Sequence, residues 1–365
     1  MKIVEYKHVS IITIIMLSLI IGSCSNDVNN KPSNTRKKVT PVSQHLDITS
    51  PKPNYKTTPG KKLQISWNWK DISESDSVIC FIGKSRIGNV QNGENITIPE
   101  TEPVGSVPVI LRSFKGTEKS SDRVQIELLS NIIPQKSKVK IVRKLKHDIG
   151  AYTQGLEIDG NYFYESTGQW RESSMRKVEI ETGKVHKIIS LRDDVFGEGM
   201  TIFKDKIYQL TWQSNVGYVY DLKTFKQVYE FQYPTEGWGL TNDGEHLIMS
   251  DGSHFIYFID PQYFTEVKKI SVYNNKGFVS RLNELEYING KLVSNIYGED
   301  YIVIIDPATG KITHEIDMSL LKKEADLTPK ADVLNGIAWD AVNKKLYATG
   351  KYWPTMFEIR IDGIN

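Results

Sequence analysis

A short pattern recurs five times in the second half of this chain, and it restricts the fold more than any other feature. Thr153-Gln154-Gly155-Leu156, Gly197-Glu198-Gly199-Met200, Gly237-Trp238-Gly239-Leu240, Asn283-Glu284-Leu285-Glu286 and Asn335-Gly336-Ile337-Ala338 form the set. Measured between Gln154, Glu198, Trp238, Asn283 and Asn335, the intervals are 44, 40, 45 and 52 residues. A period in this range marks a repeated supersecondary unit. Within each unit the order is constant. A turn such as Asp159-Gly160, Asp243-Gly244 or Asn289-Gly290 precedes an apolar strand. A further strand then ends near an acid, at Asp221, Asp260 or Asp306, and turns such as Glu181-Thr182-Gly183-Lys184 lead into a last one. Four short strands per unit is the size of a propeller blade.

The fifth unit runs out one strand early, after Met356 to Ile361. The strand-like run Val139 to Leu145, ahead of the first junction, is otherwise unassigned and would supply the missing outer strand, pairing an edge that would be left open. The expected fold is therefore all-β: a five-bladed β-propeller over residues 135–365, closed by an N-terminal strand. A count of four or six is the rival if one junction is misplaced. The longest interval holds a polar stretch, Ser319 to Asp332, in which Leu320, Leu321 and Ala325 point to a short helix.

Upstream, residues 59–134 read as a small Ig-like β-sandwich. Leu63 to Trp67, Asn95 to Ile98 and Arg123 to Leu128 alternate apolar and polar, Val78 to Ile82 and Val107 to Phe114 are further strands, and Gly, Asn and Pro separate them. Cys80 lies in an apolar run and reads as buried filler. Residues 25–58, rich in Asn, Ser, Thr, Pro and Lys, read as a flexible tether, because they hold too few apolar groups to form a core. Residues 1–24 read as a signal peptide: Lys2 and Lys7 precede an apolar run from Val9 to Ile21, too short for a comfortable span. Its end, Ile21-Gly22-Ser23-Cys24, resembles a bacterial lipobox, so Cys24 is the expected lipidation site. The expected location is the bacterial cell envelope, lipid-anchored and facing the periplasm or outer membrane.

With only Cys24 and Cys80, neither a disulfide framework nor a zinc site of clustered thiolates can form. The formal net charge is +2 and no basic stripe carries interleaved aromatics, so no nucleic-acid partner is expected. The histidines fall away from the junctions, and no Gly-rich phosphate loop opens a helix.

In a propeller the loops entering the innermost strands line one mouth. Gln154, Glu198, Trp238, Asn283 and Asn335 would converge there, joined from within the blades by Trp212, Tyr297, Lys351 and Trp353. Taken singly, Trp212 or Trp238 is as readily core filling as ligand contact, and Lys351 could simply snorkel. Glu198 is hardest to explain as filler, since a buried unpaired carboxylate is costly. Its glycine neighbours would let the backbone take a tight or left-handed turn. Aromatic walls exclude water and raise a carboxyl's pKa, which suits a proton shuttle near neutral pH. One acid without a second does not suit glycoside hydrolysis.

The motifs Tyr-Thr-Gln-Gly-Leu (152–156), Phe-Gly-Glu-Gly-Met-Thr (196–201), Trp-Gly-Leu-Thr-Asn-Asp-Gly (238–244), Leu-Asn-Glu-Leu-Glu-Tyr (282–287), Leu-Asn-Gly-Ile-Ala-Trp-Asp (334–340) and Thr-Gly-Lys-Tyr-Trp-Pro (349–354) resemble the plant- and bacterial-type glutaminyl-peptide cyclotransferases. The resemblance spans nearly all of 139–365 and neither the sandwich nor the tether. It implies a five-bladed propeller that converts N-terminal glutamine to pyroglutamate with release of ammonia, without metal or other cofactor. It puts Glu198 in the place of the catalytic acid/base, and Gln154, Trp212, Trp238, Asn283 and Lys351 on pocket positions. Tyr297 stands where the family commonly has Trp, and Tyr152 where Phe is common; Phe196 completes the wall. The implied partner is a peptide or protein beginning with Gln, and a monomer is expected. Two other readings stay open on the residues alone: a non-catalytic propeller binding peptide or sugar, and a Ca²⁺-dependent lactonase-like hydrolase. The latter would need several acids, and only one of the five marked positions, Glu198, is an acid.

Overall fold

The computed structural model describes residues 45–70 and 74–362. Cys24 and the signal-peptide core lie outside the described residues.

Five four-stranded antiparallel arrays follow one another from residue 153 onward. The first holds Thr153–Asp159, Tyr162–Thr167, Ser174–Glu179 and Val185–Ser190. The second holds Gly197–Phe203, Lys206–Thr211, Val216–Asp221 and Gln227–Gln232. The third holds Leu240–Asn242, Leu247–Ser250, Phe255–Ile259 and Glu266–Ser271. The fourth holds Leu282–Ile288, Lys291–Ile296, Tyr301–Ile305 and Ile312–Asp317, with Gln135–Lys138 added in parallel at its outer edge. The fifth holds Leu334–Asp340, Lys345–Gly350 and Thr355–Arg360, and its outer strand is Lys140–Lys146, paired antiparallel to Thr355–Arg360. Each innermost strand lies against those of the sheets before and after it, and the first meets the fifth. The result is an all-β, propeller-like closed ring.

Burial follows from that closure. Leu334–Asp340 is buried along its whole length, because its own sheet, two neighbours and the ring axis surround it. Outer strands such as Gln227–Gln232 are mostly exposed. The core lies between successive sheets. Tyr164 and Met175 of the first pack on Met200, Ile207 and Tyr218 of the second. Leu156, Phe163 and Val178 meet Ala338, Tyr347 and Met356 of the fifth across the closure. Each large side chain so buried stabilises the ring by about 1.5–3 kcal/mol relative to exposure. The short helix, Ser319–Glu324, adds Leu321 to the cluster between the fourth and fifth sheets.

The marked positions sit at irregularities. Register shifts occur between Thr153 and Gly155, Gly197 and Met200, Leu282 and Leu285, and Leu334 and Ile337. A bulge bends the strand and re-aims a side chain. Gly197 and Gly199 are not left-handed, contrary to the turn expected for them; the positive-φ glycines of the junctions reduce to Gly336, at +113°. Crowding explains them instead. A Cβ on Gly199 would stand 2.5 Å from the backbone nitrogen of Leu240, and one on Gly239 would stand 2.0 Å from the carbonyl oxygen of Asn283.

The N-terminal part pairs Leu46–Ser50, Lys62–Trp69 and Glu94–Thr97 in one sheet. A second sheet runs in the order Lys56–Thr57, Glu118–Leu128, Gly105–Lys115, Ser77–Ile82, Ser85–Asn89. Between them lie Leu46, Ile65, Trp67, Cys80, Ile82, Leu111 and Ile126. Burial pushes the Cys80 thiol up to about 12, with a smaller push from Glu94. The buried His45 and the strand Leu46–Ser50 thus lie inside the stretch 25–58 expected to be a tether. Composition misled here because one fully buried leucine and the pairing of Ile48 with Trp67 anchor an otherwise polar segment. This part meets the ring through Val104 N–H donating to the Thr309 carbonyl (2.9 Å) and the buried Lys311 ammonium donating to the Glu100 carbonyl (3.1 Å).

Candidate active site

Four of the five marked positions, Gln154, Glu198, Trp238 and Asn283, converge at one end of the ring on a cavity of about 240 Å³. The first sheet contributes Tyr152, Gln154 and Gln169, and the second Phe196, Glu198 and Trp212. Trp238 comes from the entry to the third, Asn283 and Tyr297 from the fourth, and Lys351 from the fifth. The volume lies below the range of drug-sized ligand sites and is scaled to a single small residue.

Glu198 is 5% exposed. Gln154 Nε2 donates to its Oε1 at 2.9 Å, and the Ser166 hydroxyl donates to its backbone carbonyl. Burial raises its pKa well above the usual carboxylate range, Lys351 pulls it back in part, and Glu236 pushes it further up. The Lys351 ammonium lies 4.6 Å from the Tyr152 ring centroid and 5.1 Å from that of Tyr297. Burial lowers its pKa to about 8, against the attraction of Glu198 and then Asp332. Acid and base therefore face each other in one low-dielectric site, each pushed toward neutrality by desolvation.

Gln154 is held from behind, because Asn335 Nδ2 donates to the Thr153 carbonyl at 3.0 Å and to Gln154 Oε1 at 3.4 Å. With Nε2 committed to Glu198, Gln154 Oε1 is the atom left with acceptor capacity. The buried Asn283 Oδ1 has no partner among the described residues. A buried polar atom without a partner costs free energy unless something fills the site.

The wall is aromatic. Tyr152 meets Phe196 edge-on at 6.1 Å, Phe196 meets Trp212 at 5.7 Å, and Trp238 meets Tyr297 at 5.6 Å. The Tyr152 hydroxyl donates to Asp332 at 3.1 Å, so the hydroxyl is turned to the rim. The two indoles share an acceptor: Trp212 Nε1 donates to Glu236 Oε2 at 2.8 Å and Trp238 Nε1 donates to the same oxygen at 3.0 Å.

Two expectations are corrected. Asn335 is fully buried behind Gln154 and does not line the cavity. Trp353, expected at the mouth, is core: it packs on Phe357, and its indole donates to the Asp332 carbonyl at 2.8 Å. The residue after the positive-φ Tyr352 is turned inward, which adjacency to Lys351 could not foretell. Gln169 and Glu236 also take part, and neither is among the residues expected from the sequence. Gln169, at φ +91°, lies in the loop after the second strand of the first sheet, the counterpart of the loops that carry Trp212, Tyr297 and Lys351, so the repeat itself pointed to it; Glu236, two residues before a marked position, was visible in Glu-Gly-Trp-Gly.

The sequence profile of a family described as glutamine cyclotransferase matches residues 115–361. The chain belongs to the glutamine cyclotransferase family. A glutaminyl-peptide cyclotransferase of Arabidopsis thaliana is 38% identical over 229 residues, which is 62% of this chain and 72% of that protein. The crystal structure of Myxococcus xanthus glutaminyl cyclase superposes with a TM-score of 0.60 at 33% identity, covering 64% of this chain and all of the other. Every cavity residue falls within the span matched by the family.

Proposed function

We propose that this glutamine cyclotransferase homologue closes N-terminal glutamine to pyroglutamate through Glu198. The supporting observation is a buried carboxyl of raised pKa, hydrogen-bonded by Gln154, in a one-residue cavity walled by aromatic rings. The neutral α-amine of the peptide attacks its own γ-carboxamide carbon. The N–C bond forms, the C–NH₂ bond breaks, and ammonia leaves. The reaction is intramolecular, so holding the side chain curled supplies much of the rate. Glu198 takes a proton from the attacking amine and returns it to the leaving nitrogen, for which a pKa near the operating pH is best. Asn283, through Nδ2, and the Lys351 ammonium donate to the amide oxygen as negative charge grows on it. Gln154 Oε1 accepts from the α-amine, and the ring walls keep out water that would hydrolyse the amide.

The test incubates residues 45–365 with Gln-Xaa peptides and follows the mass loss of ammonia. Glu198→Gln should keep the fold by circular dichroism and slow turnover by roughly 10²–10⁴-fold. A folded wild-type protein without turnover across the peptide series would sink the cyclase reading and leave a binding propeller. An active Glu198→Gln would remove Glu198 from its role.

We further read the ring as a five-bladed propeller and the N-terminal part as an Ig-like sandwich, supported by the strand orders given above. Lipidation at Cys24, anchorage in a bacterial envelope and a monomeric state remain proposals from the sequence. Alkynyl-fatty-acid labelling that persists in Cys24→Ala would refute the lipidation.

A further inference from the structure

Two of the cavity's aromatic walls are indoles, and what orients them is not itself in the cavity. Glu236 lies on the segment joining the second and third sheets, half-buried. Its Oε2 accepts from both indole nitrogens, at 2.8 Å from Trp212 and 3.0 Å from Trp238, and its Oε1 accepts from Gln213 Nε2 at 3.2 Å. Tryptophan has one donor, so each indole spends its whole hydrogen-bonding capacity on this oxygen. Among the described residues no cation lies within ion-pair distance of Glu236, so its contacts are with neutral donors alone. Burial works against its ionisation, but the donors from Trp238, Trp212 and Gln213 outweigh it and hold the carboxyl below its ordinary range.

We propose that Glu236 is a positioning residue that sets the two indole planes as one unit and thereby shapes the glutamine pocket. The backbone alone leaves that freedom open. Trp212 N–H donates to the Phe196 carbonyl at 2.9 Å and Trp238 N–H to the Ser250 carbonyl at 3.0 Å, which anchors the main chain but not the ring torsions. The shared oxygen removes the torsional choice. Ring contacts then carry the constraint outward, from Trp212 to Phe196 and from Trp238 to Tyr297. One carboxylate thus ties together walls contributed by three sheets.

This inference rests on the cyclase reading, and its test separates the two. Glu236→Met fills the same space with only a weak thioether acceptor, and Glu236→Gln keeps a carboxamide oxygen able to accept from both indoles. With Gln-Xaa peptides, Glu236→Met should lower kcat/KM roughly 10–100-fold, through both KM and kcat, as expected for a wall displaced by about an ångström. Glu236→Gln should recover at least about tenfold of that loss. Near-ultraviolet circular dichroism, which reports fixed indoles, should weaken in Glu236→Met and return in Glu236→Gln. Glu236→Ala repeats the comparison if Glu236→Met does not fold. Wild-type kinetics and an unchanged indole band in Glu236→Met would overturn the proposal. So would a Glu236→Gln as impaired as Glu236→Met, since the charge rather than the acceptor would then matter. If the wild type turns over no peptide, the cyclase reading fails, and the indole band alone decides whether Glu236 orients the pair.

Discussion

At the residue scale, Glu198 carries a conflict between stability and function. A carboxyl whose pKa is raised on folding holds a proton that the unfolded chain has already released. Native stability therefore falls as pH rises from about 4.5 through the folded value. Glu198→Gln should thus melt higher than wild type at pH 8 while losing turnover, and the gap should close by pH 5. An equal melting difference at both pH values would mean that the carboxyl is not desolvated as its burial implies. Lys351 provides the complementary test. Its ammonium is lost above about pH 8, so kcat should fall on that alkaline side. Lys351→Arg, which stays charged throughout, should move the limb upward. A limb unmoved in the arginine variant would assign it to another group. The identity of these residues was readable from motif order. The upward shift at Glu198 was also expected from its aromatic wall; the downward shift at Lys351 was not, because its desolvation is imposed by groups such as Tyr152 and Tyr297, which lie far from it in sequence.

At the scale of the element, the junction glycines are demanded by neighbouring inner strands rather than by turns. Gly155, Gly199 and Gly239 each face backbone of the next sheet, at 2.4, 2.5 and 2.0 Å from a hypothetical Cβ. Backbone cannot rotate away as a side chain can. Gly239→Ala should therefore cost about 1–3 kcal/mol or more through overpacking, read as a lower melting temperature. A wild-type melting temperature would show that the sheets have slack there. Turn signals such as Asp159-Gly160 and Asn289-Gly290 were legible because they act locally; Gly160 and Gly290 do adopt φ of +59° and +80°. The strand Gln135–Lys138 was not legible. Gln-Lys-Ser-Lys has no apolar alternation, and it is a strand because the edge of Ile312–Asp317 offers it hydrogen bonds. Ser85–Asn89 was missed for a similar reason, its pairing with Ser77–Ile82 outweighing a polar, glycine-containing sequence.

At the scale of the whole molecule, ring closure depends on a strand that precedes the first junction. Lys140–Lys146 covers the edge of Thr355–Arg360, and Arg143 reinforces it by pairing with Glu358 at 2.6 Å and Glu181 at 2.7 Å. A chain shortened to residues 135–365 keeps both added strands and every cavity residue. It should stay folded and retain most of the activity of 45–365. A chain shortened to 147–365 exposes a long strand edge and should aggregate or melt markedly lower. Comparable melting of the two would show that closure contributes little. Loss of activity in 135–365 despite a native melting curve would give the N-terminal part a role in the reaction.

The sequence by itself determined the period, most strands, the ring-closing strand and the one acid among the five marked positions. These rest on side-chain alternation, turn chemistry and repetition, all carried by near neighbours in the chain. Only the tertiary structure decided that Asn335 and Trp353 face inward, that Gln154 is braced from behind, and that one carboxylate, Glu236, receives both indoles. Those outcomes depend on groups brought within a few ångströms from different sheets, where desolvation and hydrogen-bond geometry are set by the closed ring and not by the local order of residues.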